Sequence, residues 1–91
     1  MPISESAKKR VRQDEKKRER NKKKRSYVRT TQRLFEDAVE AGDVELARER
    51  LREAESAWDR AASKGVIPKK RASRKVSRMK KRFSKLENEE S

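Results

Sequence analysis

Residues 44–63 read VELARERLREAESAWDRAAS. Apolar side chains recur there at Ala47, Leu51, Ala54, Trp58 and Ala61, in steps of 4, 3, 4 and 3. That rhythm tracks the helical turn and puts all five on one face of an α-helix, with Arg and Glu filling the rest. One stripe cannot bury itself, so the segment needs partner helices. Its boundaries are marked. Upstream stands Glu40-Ala41-Gly42-Asp43. The glycine can end a preceding helix and the aspartate can cap the next, which makes a tight turn. Downstream, Lys64-Gly65 ends the segment and Ile67-Pro68 opens another, with proline tolerated in a first helical turn. Partner stripes lie on both sides: Ala72, Val76, Met79, Phe83 and Leu86 in the same 4, 3, 4, 3 steps, and Tyr27, Thr31, Leu34, Phe35, Ala38 and Val39 upstream. No stretch alternates as a strand would. The pattern predicts an all-α three-helix bundle in one domain over residues 1–86. Helix 1 spans about 6–41, helix 2 about 44–63 and helix 3 about 69–86, followed by a disordered acidic tail at 87–91.

The first helix is roughly twice as long as the others, and its apolar face stops halfway. Continued backwards at ~100° per residue, the stripe carries Lys24, Arg20, Lys17 and Gln13, none of which can line a core. Only the C-terminal half can pack. The remainder should project as a cationic rod of about 30 Å, at 1.5 Å per residue. Tyr27 sits where rod and bundle meet. Capping the core is the favoured expectation, with a hydroxyl contact to RNA as the alternative. Trp58, Phe35 and Phe83 are expected in the core.

Charge falls in blocks. Residues 1–33 hold 14 basic and 4 acidic side chains (+10), 34–63 hold 4 and 9 (−5), 64–86 hold 11 and none (+11), and 87–91 hold 3 acids (−3). The whole chain carries +13, with 49% of residues charged and 30% hydrophobic. So little apolar surface cannot order every residue, and so large an excess of one sign points to a polyanion, either nucleic acid or an anionic surface. Helix 2 should pair its charges internally, as Glu45–Arg48 and Glu49–Arg52, and offset part of the like charge on helix 3 (Arg71, Arg74, Lys75, Arg78, Arg82) across their interface.

The absences narrow the class. With no Cys and no His, thiol chemistry, disulfides and imidazole catalysis are excluded and the commonest zinc sites are missing. No Gly-rich phosphate loop or carboxylate cleft is signalled, so no catalytic residue, metal or cofactor is assigned and the chain reads as no enzyme. No apolar run approaches a membrane span. The start resembles neither a secretory signal nor, given Glu5, Asp14, Glu15 and Glu19, a transit peptide.

The candidate site is a phosphate-binding surface. Lys8, Lys9, Arg10, Arg12, Lys16, Lys17, Arg18, Arg20, Lys22 to Arg25 and Arg29 form a basic helix whose forked and point-charge donors suit an irregular phosphate backbone. Gln13 and Asn21 lie among them, either as solvated positions or as donors to a sugar or base edge. On helix 3, Ser73, Ser77 and Ser84 share a side with Lys80 and Lys81. They are either plain surface serines or small residues that admit a close phosphate strand.

Taken in order, Ser6-Ala7-Lys8-Lys9-Arg10, Gln13, Asn21, Arg25-Ser26, Arg29-Thr30, Glu40-Ala41-Gly42-Asp43, Lys64-Gly65-Val66-Ile67-Pro68-Lys69, Ala72-Ser73-Arg74 and Ser77-Arg78 resemble the bacterial small-subunit ribosomal protein family numbered twenty. The resemblance runs from about Ser6 to Leu86. It implies a three-helix bundle with a long first helix, bound directly to small-subunit ribosomal RNA near the base of the body early in assembly, on a cytoplasmic ribosome. It also implies a monomer with few or no protein contacts and no small-molecule substrate. The implied RNA contacts are Ser6 to Arg10, Gln13, Asn21, Arg25, Ser26, Arg29 and Thr30, then Lys64, Lys69, Ser73, Arg74, Ser77 and Arg78, to which the basic rod adds Arg12, Lys16, Lys17, Arg20 and Lys24. Pro68 stands where the family commonly has His, and Lys70 where it has Asn, although Lys70 keeps a phosphate donor. Glu5 is acidic where the family is often basic. The alternative reading is a nucleoid-type protein on duplex DNA, but no dimer seam or base-reading helix is evident. A further alternative is a helical adaptor that recruits a basic protein through the acidic face of helix 2.

Overall fold

The computed structural model describes residues 5–90, with side-chain surroundings for residues 5–89. Three helices follow one another: α1 (Glu5–Glu40), α2 (Val44–Ser63) and α3 (Lys69–Glu90). α2 is central. It packs along both neighbours, which touch each other only slightly.

Both turns are built from the residues that mark them in the sequence. Gly42 adopts a left-handed conformation (φ 71°). Its N–H donates to the Val39 carbonyl at 3.0 Å, and the Asp43 N–H donates to Ala38 at 3.1 Å. These two bonds close the end of a helix in the Schellman manner. Asp43 then opens α2, its carboxylate accepting from the Leu46 N–H at 3.1 Å. One residue thus terminates α1 with its backbone and starts α2 with its side chain, which is why three connecting residues suffice. The second turn repeats the closure. Gly65 (φ 75°) donates to Ala62 at 3.1 Å and Val66 donates to Ala61 at 2.9 Å. The Pro68 carbonyl accepts from the Ala72 N–H at 3.1 Å, so the proline stands where its missing N–H costs nothing.

The core joins Val28, Phe35 and Ala38 of α1 to Ala47, Leu51, Ala54, Ala57, Trp58 and Ala61 of α2. Ile67 and the α3 residues Ala72, Val76, Met79 and Leu86 complete it. Alanine dominates the α2 contribution, and small side chains at a helix crossing let the neighbouring axes come close. Bulk comes from Phe35, fully buried, and Trp58. Phe83 is only partly buried, with the Arg48 guanidinium 5.7 Å above its ring.

α1 departs from the expected stripe by one position. Val28, Thr31, Phe35 and Ala38 are buried, whereas Tyr27 is 53% exposed and Leu34 is half-buried. The expectation that Tyr27 caps the core is overturned. Steps of 3, 4 and 3 from Val28 keep one face, and Tyr27, ~100° round the helix from Val28, lies at its edge. Thr31 tolerates burial because its hydroxyl donates to the Val28 carbonyl at 2.7 Å. Before Val28 no described residue is buried, and the helix runs on as a rod that stretches the molecule to 69 × 22 × 16 Å.

α3 departs at its other end. It continues to Glu90, past Leu86, so Glu87 to Glu90 are helical where a disordered tail was expected. Ser91 lies outside the described residues. Glutamate is a good helix former, and Glu87 takes the Arg48 guanidinium at 3.3 Å. That contact also replaces the expected Glu45–Arg48 pair, and the ion pair within α2 is Arg50–Glu53 at 3.2 Å rather than Glu49–Arg52. The expected offset across helices is present as Lys80–Glu55 at 2.9 Å and Arg82–Glu36 at 3.8 Å.

Candidate nucleic-acid interface

The ion pairs sort the cations into two populations. Among the described residues they engage Arg48, Arg50, Lys80 and Arg82. None of the lysines and arginines expected to meet RNA takes part. Of the nine acids in the middle block, Glu36 and Glu55 pair with the C-terminal part of α3 and Glu53 pairs within α2. The rod and the N-terminal part of α3 keep unneutralised charge.

On the rod, Ser6, Lys8, Lys9, Arg10, Arg12, Gln13, Lys16, Lys17 and Arg20 are all exposed, and Asn21 and Lys24 are half-buried. Arg25, Ser26, Arg29 and Thr30 are exposed as the rod enters the bundle. The Thr30 hydroxyl donates to the Ser26 carbonyl at 2.9 Å, so toward a ligand it offers lone pairs rather than its proton. Lys8 and Arg12 stand beside the exposed Val11 and Glu15 on one side of the rod.

The second half of the expected set lies on exposed α3 positions and at the turn before it: Lys64, Lys69, Lys70, Ser73, Arg74, Ser77 and Arg78. These split into two sides of the helix. Lys70, Arg74 and Arg78 share a shallow cationic face with Arg71, Lys75 and Pro68. Ser73 and Ser77 line a different groove with Ser84, Lys80, Lys81 and Asp59. At ~100° per residue the two sides adjoin on the solvent face of α3, opposite the buried stripe, where Ser77 and Lys81 neighbour Lys70 and Arg74.

Folding unites residues distant in sequence. Arg25 and Arg29 of α1 meet Arg71 of α3 around a recess of about 30 Å³ lined also by Val28, Ile67 and Trp58. The indole N–H of Trp58 is buried without a hydrogen-bond partner among the described residues. Lys24 of the rod and Lys64 of the second turn face each other across a larger cleft with Lys23 and Arg60. Arg71, Lys75 and Arg60 share these faces but are absent from the sequence-derived set, whereas Lys23 belongs to the basic stretch Lys22 to Arg25. A helical projection of residues 70–78 would have found Arg71 and Lys75. Arg60 hides inside an acidic block, and counting charge by block masks it.

No group of carboxylates among the described residues is placed to hold a metal ion, and no described helix is long and apolar enough to cross a membrane.

The family model for ribosomal protein S20 matches residues 2–84. Small ribosomal subunit protein bS20 of Natranaerobius thermophilus is 48% identical over 86 residues, covering 94% of this chain and 98% of the relative. The bS20 proteins of Dinoroseobacter shibae (44%) and Cutibacterium acnes (46%) match over the same shares of both chains. A match of that extent takes in the rod, both turns and the face of α3 alike, and the chain belongs to the ribosomal protein S20 family.

Proposed function

We propose that this protein binds small-subunit ribosomal RNA directly and stabilises its fold during assembly. Family membership makes it a structural component of the small subunit of the cytoplasmic ribosome and not an enzyme. The observation that carries the finer reading is the rod. Before Val28, α1 buries no side chain, and its cations join no ion pair among the described residues. Like charges three and four residues apart weaken a helix, and phosphates along it would relieve that repulsion. Arg25, Arg29 and Arg71 extend the phosphate track on to the bundle. The residues expected on the RNA are those named above on α1, with Lys64, Lys69, Lys70, Ser73, Arg74, Ser77 and Arg78 at the second turn and on α3. The protein acts as a monomer with few protein contacts.

The test is affinity for folded small-subunit ribosomal RNA, duplex DNA and a basic protein at one salt concentration. Ribosomal RNA should bind tightest. If ~6–10 phosphates are neutralised, that affinity falls by about 10³–10⁵ between 50 and 200 mM salt. A nearly flat salt response defeats the phosphate-tracking account. Equal affinity for duplex DNA favours the nucleoid-type alternative.

A further inference from the structure

The cleft between the rod and α2 has an unusual composition for a surface this charged. Its volume is about 300 Å³, the lower end of the about 300–1,000 Å³ typical of small-ligand pockets. Val28, Ala57 and Ala61 floor it, and all three are buried members of the core. Tyr27 walls it with a ring that packing leaves half in solvent. Cations from three places rim it: Lys23 and Lys24 on the rod, Arg60 on α2 and Lys64 at the second turn.

We propose that this cleft receives one unstacked nucleotide of the bound RNA, its base stacked on Tyr27 over the Val28–Ala57–Ala61 floor and its phosphate held by the surrounding cations. The proposal rests on the RNA-binding reading and adds to it a site for a stacked base beside the phosphate contacts of the rod. The physical logic has two parts. A phosphate alone would leave the apolar floor wet and would not need an aromatic. An apolar partner such as a protein side chain would not account for four cations on the rim. A nucleotide has both an apolar face and an anionic backbone. Unpaired bases in RNA loops and bulges are commonly held by stacking on aromatic side chains. Duplex RNA keeps its bases stacked and cannot enter.

The full-length protein should be titrated at one salt concentration with a five-nucleotide single-stranded RNA, a short RNA duplex and inorganic phosphate, following the Tyr27 ring and the Ala57 and Ala61 methyl resonances. The single strand should shift all three. Duplex and phosphate should move only resonances near the cations. Tyr27→Ala should weaken single-strand binding about tenfold, and Tyr27→Phe should retain it. Neither removes a charge, so the salt dependence of ribosomal RNA binding should stay as it is. Equal single-strand affinity for Tyr27→Ala and the unsubstituted protein, or the same methyl shifts with duplex or phosphate, overturns the base site and leaves the RNA-binding reading intact. Failure of the unsubstituted protein to bind ribosomal RNA at all removes both.

Discussion

α1 is one uninterrupted helix, yet its two halves persist for different physical reasons. From Val28 to Glu40, each turn places a side chain against α2, and Phe35 has no exposed surface at all. Before Val28 nothing is buried, so the backbone hydrogen bonds stand in water with only local propensity behind them. A helix with so few tertiary contacts draws little stability from packing, and here the like charges weaken it further. Burial is supplied by the chain itself, but relief from charge repulsion must come from outside. The bundle should thus stand on its own, while the rod should become fully ordered only on a ligand.

The sharpest way to break this contrast is to remove charge from the rod alone. Replacing Lys16, Lys17, Arg20 and Lys24 by Gln should lower ribosomal RNA affinity by on the order of 10³ near 0.1 M salt and reduce the salt slope by about 4. The melting temperature should stay level or rise slightly, because repulsive neighbours disappear. A large drop in melting temperature would show that the rod supports the fold. Phe35→Ala is the mirror experiment. It should cost about 3–5 kcal/mol, comparable to all that a core of this size supplies, and urea denaturation should show little folded bundle left. Val11→Ala on the rod, at a position 53% exposed, should stay within ~0.5 kcal/mol of the parent. Amide hydrogen exchange then reads both halves at once. Amides of Lys8 to Lys24 should exchange fast in the free protein and slowly on RNA, while those around Phe35 and Trp58 are protected in both. Strong protection of the rod without RNA would abolish the distinction.

How much of this was readable beforehand depended on which force set each feature. The α2 stripe from Ala47 to Ala61 is buried throughout, because burial and helical period specify the same positions. At Tyr27 they part. An aromatic one residue before Val28 looks like core in a sequence, but a smaller residue on the correct face wins the site. Both turns were legible because Gly42, Asp43 and Gly65 each meet a specific backbone need. The charged surface was visible as blocks along the chain, but its division was not. Which arginines meet around the Trp58 recess, and that Lys64 faces Lys24, follow from how α1 and α2 cross. Sequence spacing does not encode that angle. Arg60 was hidden besides by the acidic block around it.

The smallest effect expected is at the C-terminus, where charge alone suggested disorder and the helix instead continues. Deleting residues 87–91 removes the Glu87 carboxylate from Arg48, a pair in which both side chains are 46% exposed. Such a pair contributes ~0.2–1 kcal/mol. Arg48 would keep its place over the Phe83 ring, worth another ~0.5–1 kcal/mol at an exposed site, and Leu86 would stay buried at the end of α3. The truncated protein should therefore lose under about 1 kcal/mol in urea denaturation. Its RNA affinity should be unchanged or a little tighter, since the acids that leave repel phosphate and take no phosphate contact with them. The salt slope should be unaltered. A stability loss well above that range would mean that the last turn of α3 helps hold the bundle, which would extend the self-sufficient region to Glu90. A large loss of RNA affinity would place the acidic end against the RNA and break the division between the cations that are paired within the fold and those left for a ligand.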